Sequence, residues 1–368
     1  MTVRGSIISR AALVIGLTAG GIASAQVGVP FTSLQQQIDA LQRRIEALEA
    51  PDGRVVEVRV QCGRDSINVA LGNAPSGGNL VVVIDGTCEE AVNVVRDRVA
   101  LRGGISGVVR APAGAAAITV GGAQNVDVSG LTIVAAPGFE GIRAERNADV
   151  RIRNTIVIDN GAGFGAFGIF ATSGASVNIA ASQITGSSGG MAYGITLSDG
   201  ATGRMQGTIV TLSAGTDGAV YLSRQSTLLM RGGGNVVTHT LPGGPAFGAT
   251  NGSSLRVDQR GSAPSDTFNG RFYLTQGANG DVRDAIINGS VMLQSQAGLR
   301  LSDETKNAPY KLTVAGGPIT VGDTALLQFL GTAPFIGANA IVACGGKVGP
   351  LPPAGTFVPP FTLTFNPC

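Results

Sequence analysis

The sequence predicts an all-β fold, a solenoid of short stacked strands, and this prediction depends on a repeat in the middle of the chain. Segments of alternating apolar and polar residues begin at Val126, Val150 and Val177, which are 24 and 27 residues apart. A repeat of this length with β-type alternation is typical of a β-helix, in which each coil packs only on its neighbours. The composition agrees, because 56 glycines supply turns and 5% aromatic residues suit a thin aliphatic core.

The first 25 residues have the organisation of a secretory signal peptide. Arg4 and Arg10 give a basic start, Ala11–Ala23 is apolar, and Ala23-Ser24-Ala25 has the form of a cleavage site. The alternative is a membrane anchor, but the apolar run is short for a bilayer. We therefore expect a secreted, periplasmic or cell-surface protein with no transmembrane segment after signal removal.

The charge balance argues against nucleic acid as a partner. The full chain has 26 basic and 24 acidic residues, and removal of Arg4 and Arg10 with the signal makes the two equal. A protein without net positive charge lacks the electrostatic attraction that nucleic-acid binding requires.

Residues 26–50 contain a predicted helix with a narrow apolar seam. Two heptads of this kind are marginally stable alone, so the seam must pack on another copy or on the rest of the protein. We favour a homo-oligomer, and the alternative is a helix that plugs the first coil of the solenoid. The seam consists of Leu34, Ile38, Leu41, Ile45 and Leu48.

The four cysteines fit an exported protein with disulfides. Four cysteines allow three connectivities, and proximity in the chain favours Cys62–Cys88 and Cys344–Cys368. Metal binding is the competing interpretation, but there is no C-x-x-C motif. The single histidine, His239, is predicted to be solvated in a loop. We therefore predict no metal and no cofactor.

Two motifs near the start of the repeat carry a family resemblance. Gly86-Thr-Cys-Glu-Glu90 and Val99-Ala-Leu-Arg-Gly103 resemble the first coils of secreted bacterial proteins of the pectin-lyase-like superfamily. The resemblance implies a right-handed parallel β-helix, which we assign to residues 51–301. Residues 302–368 are richer in Pro and Phe and lack the repeat. They are predicted to form a C-terminal β cap, because a solenoid must cover its last coil.

Outward positions of the stacked strands are the candidate site. Asp127, Arg151 and Asn178 occupy equivalent places in successive coils, about 4.8 Å apart, so Asp127 and Arg151 are expected to pair. With Arg153 they are candidates for contact with a polysaccharide or cell-surface glycan. Enzymes of the superfamily carry grouped aspartates with Arg, Lys or His. No such motif stands here, and we predict no catalytic residue, although one carboxylate pair would suffice for hydrolysis.

Three further local patterns give weaker predictions. Phe164, Phe167 and Phe170 lie close together in a Gly-rich stretch, where an exposed ring would be a sugar-stacking candidate. Arginines outnumber acids between residues 96 and 153, which suggests a basic face for acidic polysaccharide or lipopolysaccharide. Asn-Gly pairs that begin at residues 160, 251, 269, 279 and 288 are predicted turns.

These observations favour one functional class and leave two others open. The favoured class is an exported, non-catalytic β-helix protein that acts as an extracellular or cell-envelope scaffold, adhesive or glycan-binding module. The alternative is a polysaccharide lyase or glycoside hydrolase of the pectin-lyase-like superfamily. The third is a structural trimeric fibre.

We predict that the mature protein forms a concentration-dependent oligomer through the helical seam. Replacing Ile38 and Ile45 with Asp places charges in the seam, so light scattering should report a monomer whose circular dichroism retains the β signal. A wild-type monomer at high micromolar concentration, or loss of the β signal in the variant, would instead assign the helix to its own solenoid.

Overall fold

The computed structural model describes residues 55–75, 77–159, 166–186, 192–213, 218–258, 264–303, 312–331, 335–336, 341–349 and 363–365. The predicted signal peptide, the helix of residues 26–50 and Cys368 lie outside these residues, so the predictions made for them stay predictions. Within the described ranges, no helix is long and apolar enough to cross a membrane.

One short helix and many short strands make up the described chain. The helix is α1 (Ile67–Asn73). In chain order the strands are β1 (Val55–Gln61), β2 (Asn79–Asp85), β3 (Thr87–Glu89), β4 (Val92–Val94), β5 (Val99–Gly103), β6 (Val108–Arg110), β7 (Ile118–Gly121), β8 (Val126–Ser129), β9 (Thr132–Ala135), β10 (Glu140–Glu145), β11 (Asp149–Arg153), β12 (Ile156–Asp159), β13 (Ala166–Ala171), β14 (Ser176–Ala180), β15 (Gln183–Gly186), β16 (Ala192–Leu197), β17 (Thr202–Gln206), β18 (Ile209–Leu212), β19 (Val220–Leu222), β20 (Thr227–Arg231), β21 (Val236–His239), β22 (Pro245–Ala249), β23 (Ser254–Asp258), β24 (Thr267–Asn269), β25 (Arg271–Leu274), β26 (Asn279–Arg283), β27 (Ile286–Asn288), β28 (Val291–Leu293), β29 (Gly298–Asp303), β30 (Thr313–Ala315), β31 (Ile319–Val321), β32 (Leu326–Gly331), β33 (Phe335–Ile336), β34 (Ile341–Ala343), β35 (Lys347–Val348) and β36 (Leu363–Phe365).

The strands form three parallel sheets, which confirms the predicted β-helix. Sheet 1 has the order β1-β2-β5-β8-β11-β14-β17-β20-β23-β26-β29-β32-β35. Sheet 2 has the order β3-β6-β9-β12-β15-β18-β21-β24-β27-β30-β33. Sheet 3 has the order β4-β7-β10-β13-β16-β19-β22-β25-β28-β31-β34-β36. From β2 onward, each full coil passes through sheet 1, sheet 2 and sheet 3 in turn.

The core is built from columns of equivalent residues in successive coils. Val126, Val150 and Val177 are register partners in parallel strands, and each is at most 1% exposed. Because side chains alternate along a strand, the residue that follows each valine points outward. The predicted stacking of the three valines as inward neighbours is confirmed.

The repeat continues beyond the residues from which it was predicted. Strands β22 to β29 pair in the same three sheets, although their sequence pattern is less regular. The pairing also crosses residue 302, because β29 pairs with β32 along its whole length. The described strands of residues 302–368 therefore add coils to the solenoid. A cap that differs from the coils stays a prediction for the rest of that segment.

A regular four-residue turn leads from sheet 3 into sheet 1. Asn251 and Gly252 have φ values of 51° and 69°, and Ser253, which follows them, is fully buried. Asn and Gly adopt this left-handed conformation more readily than other residues. The same pair of left-handed residues recurs at Ser173-Gly174, Asp199-Gly200, Arg224-Gln225, Gln276-Gly277 and Ser295-Gln296. The predicted Asn251-Gly252 turn is therefore confirmed.

Another predicted turn, Asn279-Gly280, is wrong. Both residues lie inside β26, where Gly280 occupies an inward position beside Leu299. A Cβ atom on Gly280 would come within 2.8 Å of Leu299 Cδ1. This glycine is present because a leucine from the next coil fills its space, and not because the chain turns.

Helix α1 packs at the N-terminal end of the solenoid, before the first strand of sheet 2. Ile67 and Leu71 bury their side chains against the core. Its first turn is held by Glu90, whose carboxylate accepts hydrogen bonds from Ile67 N at 2.7 Å and from Ser66 Oγ at 2.8 Å. A carboxylate at a helix N-terminus satisfies free N–H groups and interacts favourably with the helix dipole.

The predicted Cys62–Cys88 disulfide is confirmed. It joins the end of β1 to β3 with a Cα–Cα distance of 4.7 Å and a sequence separation of 26. Closing a loop of this size stabilises the folded chain by about 3 kcal/mol in the chain-entropy model. The Cys344–Cys368 pair involves a residue outside the described part of the chain.

The turns between sheet 1 and sheet 2 enclose a ladder of buried polar side chains. Asn235 and Asp266 are both fully buried, and Asp266 Oδ1 accepts hydrogen bonds from Asn235 N and Nδ2, each at 2.9 Å. Asn235 Oδ1 in turn accepts from Thr208 N at 3.1 Å. The second carboxylate oxygen of Asp266, Oδ2, has no hydrogen-bond partner among the residues that the structure describes.

We predict that Asp266→Asn raises the free energy of unfolding at neutral pH. Burial raises the pKa of Asp266, although the hydrogen bonds from Asn235 oppose the shift. The folded chain therefore binds this proton more tightly than the unfolded chain. The stability that Asp266 contributes is present below its unfolded pKa and is lost as pH rises through its folded pKa. Asn keeps both hydrogen bonds to Oδ1 without a buried charge.

Urea denaturation of both proteins at acid and neutral pH is the measurement. The difference between them should grow as the pH rises. Asp323→Asn, at an exposed turn carboxylate, is the matched control and should leave stability unchanged. A destabilised Asp266→Asn protein at neutral pH would contradict the prediction.

Candidate functional site

A single column of residues runs down the middle of the outer face of sheet 1. In-register pairing places one residue of each strand in this central column. From β8 to β29 its members are Asp127, Arg151, Asn178, Arg204, Leu229, Arg256, Asp281 and Arg300. Three of the four candidates from the sequence, Asp127, Arg151 and Asn178, therefore share one column.

A groove of about 850 Å³ follows this column along the outer face of sheet 1. Its lining extends from Asp149 in β11 to Arg300 in β29, which are seven successive strands of the sheet. At about 4.8 Å between strands, the groove is about 29 Å long. It is therefore a shallow channel that suits an extended chain better than a compact small molecule.

The groove carries more positive than negative charge. Its lining includes five arginines, Arg151, Arg204, Arg231, Arg256 and Arg300. It also includes three aspartates, Asp149, Asp258 and Asp281.

Two of the aspartates are held by ion pairs. Asp258 pairs with Arg256 at 3.7 Å, and Asp281 pairs with Arg283 at 3.0 Å. By contrast, Arg151, Arg204, Arg231 and Arg300 form no ion pair with any described residue. These four guanidinium groups supply the positive charge of the groove.

A second column, of small polar residues, lies beside the arginines. Thr202 pairs in register with Ser176 on one side and Thr227 on the other, and Ser254 and Asn279 continue the line. These side chains provide a hydroxyl or amide group on five successive coils. Hydroxyl and amide groups both donate and accept hydrogen bonds, as the hydroxyls of a sugar do.

The other sequence candidates lie at the N-terminal end of the groove. Asp127 forms its ion pair with Arg153 and not with Arg151, although Arg151 is its register partner. The predicted Asp127–Arg151 pair is therefore wrong. Arg153 occupies the next outward position of β11, and its long side chain reaches diagonally across to Asp127. Arg151 and Asn178 line the groove itself, whereas Asp127 and Arg153 adjoin it. Their role in glycan contact stays a prediction.

Four aromatic residues of β13, β16 and β19 form a row on the outer face of sheet 3. Phe167 stacks on Phe170 at 4.9 Å and on Tyr193 at 5.1 Å between ring centroids. Tyr193 in turn contacts Tyr221 at 5.3 Å. The contacts of Tyr193 with Phe167 and Tyr221 join three successive coils through β13, β16 and β19. Phe164 lies outside the described residues.

Two other local predictions change with the structure. His239 is not a solvated loop residue, because it ends β21, is 5% exposed and accepts a hydrogen bond from Leu241 N through Nδ1. The predicted basic face is divided by the coiling of the chain: Arg102 lies on sheet 1, Arg110 on sheet 2 and Arg143 on sheet 3. In the described part of the chain, no group of three His, Cys, Asp or Glu residues is arranged to hold a metal ion.

Sequence reasoning missed the C-terminal half of the groove, although a signal for it exists. From the turn before β11 to the turn before β29, each sheet 3 to sheet 1 turn ends in a buried small residue, and the central column lies three residues later. Ala201 thus precedes Arg204, Ser253 precedes Arg256, and Ala297 precedes Arg300. Alignment on these small residues identifies the column without any structure.

Comparisons with known proteins do not identify the function of this site. No protein-family model matches the chain, and no curated protein matches it either. Among solved structures, a pectin methylesterase mutant in complex with a hexasaccharide is similar with 12% sequence identity. The match covers 62% of this chain and 77% of that one with a TM-score of 0.27, which is too distant to bear on the site.

We predict that Phe167→Ala lowers the free energy of unfolding by about 2 kcal/mol, since it removes a half-buried ring and two ring contacts. Urea denaturation is the measurement. Ile105→Ala, at a side chain that is 86% exposed, is the control and should change stability by less than about 0.5 kcal/mol. Unchanged stability together with weaker glycan binding would show that Phe167 contacts a ligand instead.

Proposed function

We propose that this protein is an exported, non-catalytic glycan-binding protein whose sheet 1 groove binds an anionic polysaccharide. The observation that carries the proposal is the set of groove arginines that have no ion-pair partner among the described residues. A guanidinium group is planar and donates paired hydrogen bonds to carboxylate or sulfate, which makes arginine well suited to such ligands.

The shape of the groove supports an extended polymer as the ligand. A chain laid along the solenoid axis meets a new arginine or small polar residue with each coil. Many weak contacts then add along one ligand. Because the contacting side chains project from fixed strands, little conformational freedom of the protein is lost on binding. The positive charge also raises the local concentration of an acidic polymer.

The predicted export and the resemblance to the superfamily also support the proposal. The signal peptide of residues 1–25 would direct the chain to the cell envelope or outside the cell, where polysaccharides are found and disulfides form. The parallel solenoid is consistent with the pectin-lyase-like superfamily. Self-association through the helix of residues 26–50 would place several grooves on one particle and increase avidity for a repetitive polymer.

The alternative function is a polysaccharide lyase or glycoside hydrolase that acts in the same groove. Its acidic residues would be Asp149, Asp258 and Asp281. The ion pairs of Asp258 with Arg256 and of Asp281 with Arg283 favour a structural role for these two carboxylates. Cleavage assays on each bound polysaccharide separate the two functions, because a binding protein leaves the polymer length unchanged.

We predict that the mature protein binds acidic polysaccharides in preference to neutral ones, and that Arg151→Ala/Arg204→Ala weakens this binding at least about tenfold. Each charge-assisted hydrogen bond to an arginine contributes about 1.5–3 kcal/mol. Calorimetry or a glycan array with polygalacturonate, hyaluronan and dextran is the measurement. Binding should weaken as salt increases, because ions screen the arginines.

Arg110→Ala is the matched control for this experiment. Arg110 is an exposed arginine on sheet 2, outside the groove, so its loss removes the same single charge as either groove substitution made alone. It should leave polysaccharide binding unchanged. Equal loss of binding in Arg110→Ala and the groove variant would assign the effect to net charge and contradict the groove as the site.

A further inference from the structure

The arginines of the central column lie on alternate coils. Arg151, Arg204, Arg256 and Arg300 occupy strands β11, β17, β23 and β29, and one strand of sheet 1 separates each from the next. Adjacent strands are about 4.8 Å apart, so successive arginines in this column are about 9.6 Å apart along the axis. The central column therefore presents arginine with a period of two coils. The fifth groove arginine, Arg231, lies outside this column, two residues beyond Leu229 at the next outward position of β20.

The residues between these arginines do not favour a negative charge on the intervening coils. They are Asn178, Leu229 and Asp281, which are neutral, apolar and negative respectively. A ligand anion placed against Leu229 would lose water without gaining a partner in this column, and one placed against Asp281 would meet a like charge. In this column, positions that attract an anion thus alternate with positions that repel it or offer it no partner.

The neighbouring polar column has the shorter period of one coil. Ser176, Thr202, Thr227 and Ser254 each lie on a different, successive strand. A hydrogen-bonding group is therefore present on every coil, whereas the central column has an arginine on every second coil. The two columns together match a polymer in which every unit carries hydroxyls and every second unit carries a charge.

We infer that the ligand of the sheet 1 groove is a linear polysaccharide with one anionic group per disaccharide, extended along the solenoid axis. One pyranose in an extended β-linked chain is about as long as one coil spacing, so a disaccharide spans two coils. The inference rests on the proposed function and adds the charge period of the ligand. The anionic group is a carboxylate or a sulfate, since arginine binds both.

The decisive variant exchanges two residues of the central column, Asn178→Arg/Arg204→Asn. The exchange keeps composition and net charge but moves one arginine by a single coil, out of the two-coil period. The probes are hyaluronan, with a carboxylate on every second sugar, and polygalacturonate, with one on every sugar. Wild-type protein should bind hyaluronan at least about tenfold more tightly, and the exchange should remove most of that preference.

Two controls separate periodicity from folding and from charge. Both side chains lie on the outer face, so circular dichroism and thermal unfolding of the exchanged variant should match the wild type. Arg204→Lys keeps a positive charge in the original position and should retain the preference for hyaluronan. An exchanged variant that folds and keeps the full preference would overturn the inference.

Ligand length provides an independent measurement. A hyaluronan octasaccharide carries four carboxylates and can engage all four arginines, whereas a tetrasaccharide engages two. Affinity should rise through the hexasaccharide to the octasaccharide and then level off. A plateau at the tetrasaccharide would overturn the inference.

The outcomes also distinguish the inference from the proposed function. Equal affinity for hyaluronan and polygalacturonate, with both above dextran, would overturn the two-coil period and leave anionic-polysaccharide binding intact. Tighter binding of polygalacturonate would do the same. Absence of binding to either acidic polymer would overturn the proposed function and the inference with it.

Discussion

Parallel hydrogen bonding between successive coils is the interaction on which the rest of this structure depends. Once β11 pairs in register with β8 and β14, the inward and outward positions of all three strands are fixed together. A shift of one residue would expose Val150 and bury Arg151, which would remove a core side chain and bury an unpaired charge. The same pairing that stabilises the core therefore determines which side chains form the groove.

Stacking in register can also place like charges close together on adjacent coils. The chain avoids this repulsion in the central column, because arginines alternate there with residues that carry no positive charge. Like charges on adjacent coils would lie about 4.8 Å apart. Arg204 and Arg256 are separated by Leu229, at about twice that distance, which is close to the Debye length of about 8 Å at physiological ionic strength. Mutual repulsion between these arginines is thus largely screened. Arg256 also pairs with Asp258, so of the two only Arg204 is held without an acidic partner among the described residues.

The coil repeat was predictable from sequence, whereas the surfaces were predictable only where the repeat was regular. Val126, Val150 and Val177 share a simple alternating pattern, and their stacking followed from it. In β17 and β26 the alternating pattern is harder to recognise, because Gly203 and Gly280 occupy inward positions where the other coils have a larger apolar residue. The Asp127–Arg153 pair was not predictable, since register fixes the Cα positions and not the direction that a long side chain takes. Asp266 gave no signal either, because a buried carboxylate and a surface one look alike in sequence.

The two-coil period of the central column means that the solenoid can change length without losing its fold but not always without losing its site. Each coil pairs only with its neighbours, so tandem duplication or excision of one coil leaves every remaining pairing possible. An odd number of added coils, however, shifts the arginines beyond the junction out of phase with those before it. An even number keeps them in phase and lengthens the binding surface by whole disaccharides. Recombination within such a gene is therefore constrained to steps of two repeats wherever the groove is under selection.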